Sequence, residues 1–119
     1  MQASDYPYEA QKKATCGHDA SQATSVSTRG HSRMFSGQVN WMKQALSSRG
    51  ALSAYVDASS LRFRFYSTGI VSDDLCGTEL NHAVNVVGWG QSLDIEYWII
   101  RNSWSDKWGE QGYMRLQIV

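Results

Sequence analysis

The sequence predicts an α+β fold in which one helix packs against an antiparallel sheet that forms a meander or part of a barrel. Three apolar runs, HAVNVVGWG, EYWIIRNSW and GYMRLQIV, lie near the C-terminus and are separated by the turn-like segments QSLD and SDKWGEQ. This alternation is typical of consecutive antiparallel strands. One segment with helical periodicity precedes them. The chain has 119 residues, of which 42% are hydrophobic, so it can bury the core of a single domain.

The predicted helix is the first regular element of the chain. Apolar residues recur at helical spacing before a glycine, at Val39, Met42, Ala45, Leu46 and Gly50. This spacing predicts a helix of about three turns with one buried face, and the glycine marks its end.

A strand and an aromatic turn follow the helix. Residues 51–58, ALSAYVDA, contain β-branched and aromatic residues directly after a glycine, which predicts a short strand. Residues 63–71, FRFYSTGIV, predict a turn or a single helical turn before an extended stretch. We expect Phe63, Phe65 and Tyr66 to pack into the core there. Upstream, the serine- and glycine-rich residues 21–37 predict an irregular connection.

The charge balance excludes several classes of partner. Lysine plus arginine and aspartate plus glutamate number 11 each, so the formal net charge is zero. A basic surplus that would indicate nucleic acid or an anionic membrane is absent from the sequence. No apolar run approaches the roughly 20 residues of a membrane helix, and the start MQASDYPYEAQKK lacks the apolar core of a secretion signal. We therefore expect neither a nucleic-acid nor a membrane partner.

The two cysteines, Cys16 and Cys76, leave several arrangements open. They could form one bridge, remain free thiols, or bond to partners outside the chain, and two cysteines alone do not decide the redox compartment. A zinc site made from both cysteines with His18 and His82 is conceivable. Its spacing fits no standard finger pattern, so we predict no metal.

His82 is the candidate for chemistry, because it begins an otherwise apolar strand. A histidine in such a place is commonly a structural core group. If its strand pairs with the run that ends at Asn102, an imidazole and a carboxamide could meet at the sheet edge. An amide oxygen that accepts the imidazole N–H would fix the tautomer, and this arrangement can support a thiol nucleophile. Asn81, Asn85 and Asn102 all remain candidates for the amide.

Several motifs resemble those of the papain-like cysteine peptidases, the thiol proteases that include the cathepsins. LNHAVNVVGWG resembles the histidine motif of that family, and EYWIIRNSWSDKWGEQGYMRL resembles its asparagine motif. Upstream, SDYPYEAQKKATC is similar to the family's Tyr-Pro-Tyr segment, and ALSAYVDASSLRFRFYSTGIV to its helix–strand connection. The resemblance covers nearly the whole chain.

The resemblance implies a papain-like fold and a set of site residues. Residues 1–20 would be a remnant of the helical, or left, domain, and residues 21–119 the barrel-like right domain, incomplete at its C-terminus. By resemblance, His82 is the general base, Asn102 is its orienting partner, and the Trp104 indole shields their hydrogen bond from water. The positions that would line the main specificity pocket are Tyr55, Leu80 and Ala83.

The resemblance also implies proteolysis of polypeptides, with no cofactor, in a lysosomal, vacuolar or secreted location. The family's nucleophilic cysteine lies in a Cys-Gly-Ser-Cys-Trp segment, which this sequence lacks. Cys16 and Cys76 match family disulfide positions, although Cys76 is conceivable as a substitute nucleophile. We therefore expect the His/Asn-bearing portion of an endopeptidase, inactive without a nucleophile-bearing segment or chain. The alternative is a truncated, non-catalytic relative that acts as a binding or regulatory interaction protein.

Two residues depart from the family pattern. Ser105 stands where a glycine usually follows Asn-Ser-Trp, and a serine would be strained there if the position requires positive φ. Tyr55 stands where the family tends to have a small aliphatic residue. We expect its ring to narrow the specificity pocket.

Overall fold

The computed structural model describes residues 2, 4–23, 27–35, 37–72 and 77–119. The chain divides into two compact units, Met1–Arg33 and Met34–Val119. The described part of the first unit contains a 3-10 turn at Ala20–Gln22, and the Asp19 side chain accepts a hydrogen bond from the Ser21 N–H at its start. All the helices and strands described below belong to the second unit.

A five-stranded sheet forms the framework of the described part of the second unit. Its strands are β1 (Leu52–Val56), β2 (Ile70–Val71), β3 (His82–Ser92), β4 (Ile95–Arg101) and β5 (Tyr113–Gln117), in the spatial order β1-β3-β4-β5-β2. Strands β3, β4 and β5 pair antiparallel in sequence, which confirms the predicted meander. Strand β2 pairs parallel with β5, so the sheet is mixed, a feature that the apolar pattern did not indicate.

One face of this sheet forms the core. Val86 pairs with Ile100, and Ile100 pairs with Met114, so the three side chains lie on the same face. All three are buried, and Val84 and Trp98 join them. The register shifts between Val86 and Gly88, which leaves an extra residue in β3 and brings Trp89 opposite Trp98.

The sheet curves so that its two edges approach one another. Val56 of β1 and Val71 of β2 lie on opposite edge strands, yet both line the same pocket. Such curvature is what a partly closed barrel requires. The barrel-like prediction therefore agrees with the structure.

The predicted helix spans Val39–Arg49 and is named α1. Leu46 is buried in the core, and Val39 and Met42 pack against it. Gly50 ends the helix with φ of 91°, a conformation that favours glycine. No helix within the described residues is long and apolar enough to cross a membrane.

The aromatic turn contains a four-residue helix, α2 (Leu61–Arg64), followed by β2. Ser60 caps α2, because its hydroxyl oxygen accepts a hydrogen bond from the Phe63 N–H. Phe63 and Tyr66 are buried, as predicted. The prediction for Phe65 was wrong, since its side chain is 79% exposed. In a single helical turn, adjacent side chains point in different directions, so the aromatic cluster cannot be buried as a block.

Glu110 fixes β2 against β5. Its carboxylate accepts hydrogen bonds from the Arg115 guanidinium at 2.5 and 2.9 Å, from the Gly69 N–H at 3.1 Å and from the Thr68 hydroxyl at 2.9 Å. The bonds from Arg115, assisted by those from Gly69 and Thr68, lower the pKa of Glu110 from its ordinary 4.5 to about 2. An ionised Glu110 is thus favoured in the folded chain.

Replacing Glu110 with glutamine should therefore remove stability in a pH-dependent way. The folded pKa is depressed, so the contribution is complete above about pH 4.5 and is lost as the pH falls towards 2. Because both side chains are partly solvated, we expect Glu110→Gln to lower the free energy of unfolding by about 1–2 kcal/mol at pH 7. Urea unfolding followed by tryptophan fluorescence at pH 7, 4 and 2.5 measures this difference in the free energy of unfolding.

Glu9→Gln is the matched control, because Glu9 forms an exposed pair with Lys13 within four residues. It should change the free energy of unfolding by less than about 0.5 kcal/mol at every pH. A Glu110→Gln deficit that stays constant down to pH 2.5 would contradict the assignment.

Candidate active site

His82 and Asn102 meet across the end of the sheet. His82 is the first residue of β3, and Asn102 directly follows β4. The His82 Nε2 and Asn102 Oδ1 atoms lie 2.8 Å apart. Of the three candidate asparagines, the structure thus selects Asn102. Asn81 bonds elsewhere, and Asn85 is exposed opposite Arg101.

The hydrogen bonds of Asn102 define the tautomer of His82. Asn102 Oδ1 also accepts the Ser103 N–H at 2.7 Å, so this atom is the acceptor and His82 Nε2 must supply the proton. Nδ1 is then the basic nitrogen of the neutral ring, and no described residue hydrogen-bonds it. The geometry therefore presents an imidazole whose Nδ1 can accept a proton.

The amide nitrogen of Asn102 is left without a partner among the described residues. Asn102 is 8% exposed, and its Nδ2 is inaccessible to solvent. An unsatisfied buried donor costs about 1–3 kcal/mol. The position of Asn102 is thus maintained against a local cost in stability, as is common at functional sites.

Two aromatic side chains enclose the His82 ring. The Trp104 and His82 ring centroids lie 4.8 Å apart with the ring planes at 35°, and the Phe63 ring lies nearly perpendicular to the His82 ring with the centroids 6.0 Å apart. Phe63 and Trp104 also contact each other edge-to-face at 5.5 Å. Both rings limit the access of water to the pair, and a hydrogen bond is electrostatically stronger in such an environment. The structure thus places Trp104 beside the His82 ring, and the shielding role that the resemblance implies for it stays a prediction.

Trp108 connects these aromatic residues to α2. Its Nε1–H donates to the carbonyl oxygens of Phe63 at 3.2 Å and Arg64 at 3.0 Å. Its ring also packs against Phe63, Trp104 and Tyr66 at 5.4–5.6 Å between centroids. Phe63 is therefore held in place by both packing and hydrogen bonding.

The connection from β4 to β5 depends on a glycine at position 109. Gly109 has φ of 59°, and a Cβ there would lie 2.6 Å from the Tyr113 carbonyl oxygen. A side chain would collide with backbone, so only glycine fits. The same connection returns to the site, because Gly112 accepts the Asn102 N–H at 2.9 Å.

Ser105 has φ of 72°, in the left-handed region. The sequence predicted strain at Ser105 if this position required positive φ, and the position does require it. The serine hydroxyl oxygen accepts only a long, exposed bond of 3.3 Å from the Lys107 N–H. Backbone strain at Ser105 is therefore weakly compensated.

The structure brings together two of the three residues expected to line the specificity pocket. A pocket of about 210 Å³ is lined by Tyr55 and Leu80, together with Val56, Asp57 and Met114 among others. Ala83 pairs with Tyr55 across β1 and β3 but is not among the lining residues. Tyr55 is 70% exposed, so its ring lies at the rim of the pocket.

Of the two cysteines, Cys16 alone lies within the described residues. Cys16 belongs to the first unit and is an exposed free thiol. Cys76, a candidate for a disulfide or a substitute nucleophile, lies outside the described residues. The pairing of the two cysteines remains a prediction.

Sequence reasoning did not identify Phe63 and Trp108 as parts of the site. Phe63 was predicted only as core, and Trp108 only as part of a motif. The Trp-Gly-Glu-x-Gly-Tyr pattern was the available signal, because a tryptophan followed by two closely spaced glycines indicates a constrained turn, and both glycines do have positive φ.

Comparison with known proteins gives one family for nearly the whole chain. Residues 1–118 match the family described as papain family cysteine protease. The chain is 42% identical over 115 residues to vignain from Vigna mungo, a match that covers 96% of this chain and 31% of vignain. It is 38% identical over 112 residues to cathepsin K from Mus musculus, a match that covers 93% of this chain and 33% of cathepsin K.

A solved structure agrees with the same fold. Digestive procathepsin L 3 from the larval midgut of Tenebrio molitor is 38% identical and has a TM-score of 0.88, covering 98% of this chain and 38% of that one. This likeness confirms the predicted papain-like α+β fold. The chain spans about a third of the length of the curated relatives it matches.

Replacing Ser105 with glycine should stabilise the fold. Glycine adopts φ of 72° without a Cβ clash, whereas the hydroxyl that is lost makes only the long bond to Lys107. We expect the free energy of unfolding to rise by about 1 kcal/mol, measured by urea denaturation. Ser53→Gly, in the exposed part of β1, should instead lower it by about 0.5–1 kcal/mol. Equal losses in both variants would show that Ser105 is unstrained.

Proposed function

Because the chain belongs to the papain family of cysteine proteases, we propose that it is the His82/Asn102-bearing portion of a peptide-bond-hydrolysing endopeptidase. The observation that supports this most directly is the 2.8 Å hydrogen bond between the two side chains beside the Trp104 ring. A histidine with a purely structural role in the core would need only hydrogen-bond partners for its ring nitrogens. Here one ring nitrogen is fixed and the other is left basic.

In the proposed mechanism, His82 Nδ1 takes the proton of a cysteine thiol, and the thiolate attacks the carbonyl carbon of the scissile peptide bond. Asn102 Oδ1 holds the Nε2–H while the ring becomes an imidazolium. The imidazolium then gives its proton to the departing amine, which leaves a thioester. His82 next deprotonates water, which attacks the thioester and releases the acid and the thiol. The ring is neutral again at the end of the cycle.

We propose that the reacting thiol and the oxyanion donors come from a nucleophile-bearing segment or chain beyond these 119 residues. Cys16 is exposed in the other unit, and its position, like that of Cys76, corresponds to a disulfide position of the family. Under this proposal the 119-residue chain alone does not cleave peptides. Residues 1–20 then belong to the helical domain and residues 21–119 to the right domain.

The substrate is proposed to be a polypeptide, with Tyr55, Leu80 and Ala83 near the side chain that is recognised. Tyr55 at the pocket rim favours a small or medium apolar side chain over a large one. No cofactor is required by this chemistry. A vacuolar, lysosomal or secreted location is consistent with the relatives, one of which is described as a digestive proteinase.

A chimera tests the proposal, with this chain replacing the matching stretch of Vigna mungo vignain. The chimera should cleave a fluorogenic peptide, whereas the 119-residue chain alone should not. His82→Ala should lower kcat by about a thousandfold or more, because the base is removed. Asn102→Ala should lower it by roughly ten- to a hundredfold, because the ring loses its orienting acceptor.

Two exposed residues provide matched controls for these substitutions. His31→Ala and Asn40→Ala should leave kcat within about twofold of the parent chimera. A folded chimera whose activity survives His82→Ala would overturn the proposed base. A folded chimera without any activity would favour the alternative function, a non-catalytic binding protein.

A further inference from the structure

Arg62 and Arg64 carry positive charges on α2 that no described residue neutralises. Both side chains are exposed, and they stand on either side of the buried Phe63 in this single helical turn. The ion pairs within the described residues involve other cations, and neither guanidinium makes a hydrogen bond there. Each guanidinium therefore presents its N–H donors to whatever approaches this surface.

A third cation, Lys107, is brought to the same part of the surface by the connection between β4 and β5. The next residue, Trp108, donates its Nε1–H to the carbonyl oxygens of Phe63 and Arg64, so the connection is bonded directly to α2. Lys107 is exposed, and its ammonium group has no ion-pair partner in the described part of the chain. We name Arg62, Arg64 and Lys107 the basic patch.

The basic patch is a local surplus of positive charge in a chain whose formal net charge is zero. Helix α2 and residues 104–109 contain these three cations and a single carboxylate, Asp106. Two further carboxylates near these segments in sequence are already engaged. Asp57 accepts two backbone N–H groups, and Glu110 binds Arg115. The surplus is therefore open to carboxylates from outside the chain.

The basic patch adjoins the proposed active site. Phe63, between the two arginines, lies nearly perpendicular to the His82 and Trp104 rings, with centroids 6.0 and 5.5 Å away. Leu61 and Phe65, at the two ends of the turn, are 68% and 79% exposed. An extended polypeptide advances about 3.3 Å per residue. A substrate residue within about three positions of the scissile bond can therefore reach a surface that offers both cations and apolar contacts.

We propose that the basic patch binds acidic side chains of the polypeptide substrate, and so favours glutamate or aspartate within about three residues of the scissile bond. This inference rests on the proposed function and adds a substrate class to it. A polypeptide is favoured over a sulfated polysaccharide or an anionic membrane because the patch borders the residues that would act on a peptide bond. The zero net charge also provides no wide field to attract a large polyanion.

The first test compares substrates that differ only in charge, cleaved by the chimera of this chain with vignain. Fluorogenic peptides carry either glutamate or glutamine at one of the three positions on each side of the scissile bond. At one or more positions the glutamate peptide should have a kcat/KM at least about threefold higher at low salt, since each exposed ion pair contributes a small factor. The preference should decrease in about 0.5 M NaCl, and it should appear in KM rather than in kcat.

Substitutions in the basic patch connect this preference to the arginines. Arg62→Gln combined with Arg64→Gln should bring the ratio of the two kcat/KM values close to one, because both guanidinium charges are removed. Arg49→Gln is the matched control, since Arg49 is an exposed arginine of α1, and it should leave the ratio within about 1.5-fold of the parent. If the double variant unfolds, Lys107→Gln provides the measurement and should lower the ratio to a smaller extent.

The second test needs no peptidase activity. A fluorescein-labelled peptide of alternating glutamate and alanine, and its glutamine counterpart, are titrated with the 119-residue chain and followed by fluorescence anisotropy. The glutamate peptide should bind at least about fivefold more tightly at low salt, and the double arginine variant should lose this difference. An inactive chimera would therefore remove the proposed function, while this titration still decided whether the basic patch binds acidic polypeptides.

An active chimera without a preference for glutamate at any tested position would overturn the proposal. So would a preference that persists in the folded double variant, or in Lys107→Gln where that variant is used. In the titration, equal binding of the glutamate and glutamine peptides would contradict it. The same holds if heparin fragments or phosphatidylserine vesicles bind through the two arginines and the glutamate peptide does not.

Discussion

The hydrogen bond from the Asn102 N–H to the Gly112 carbonyl, at 2.9 Å, is the constraint on which the site depends. It closes the connection between β4 and β5, so that the chain leaves the sheet at Asn102 and re-enters beside it. The Gly112 N–H donates within the same connection to the Trp108 carbonyl at 2.7 Å. The loop is thereby folded onto the sheet end, and the tryptophans at 104 and 108 are directed towards α2 rather than towards solvent. His82 is therefore hydrogen-bonded by the side chain of a residue whose backbone is itself bonded to this closed loop.

Much of the fold could be predicted because it depends on local periodicity. The spacing of Val39, Met42 and Leu46 indicates one buried helical face, and the alternating runs indicate strands whose order in the meander follows from short turns. The parallel pairing of β2 with β5 could not be predicted in this way. A strand of two residues, Ile70 and Val71, is too short to show a hydrophobic periodicity. Its pairing with β5 depends on the distant contact between Glu110 and Arg115.

The candidate site could likewise be predicted only in part from the sequence. His82 and Asn102 were identified through a family resemblance, whereas the residues alone left three asparagines open. The choice among them depends on the register of β3 and β4 and on the closed loop, which are properties of the assembled sheet. The contrast between Phe63 and Phe65 has a similar origin. Both are aromatic residues of one short turn, but the Phe63 ring packs against Trp104 and Trp108, whereas the Phe65 side chain is exposed.

The burial of Asn102 explains why a costly arrangement can persist. Exclusion of water strengthens the bond between Oδ1 and the His82 Nε2–H, and the same exclusion leaves Nδ2 without a partner among the described residues. Ser105 adds backbone strain in the same loop. Burial of Phe63 and Trp108 and the hydrogen bonds of the loop must offset both costs. The site is therefore stable only as part of the folded aromatic cluster, and its geometry depends on that packing and on the hydrogen bonds of the loop as well as on the bond between His82 and Asn102.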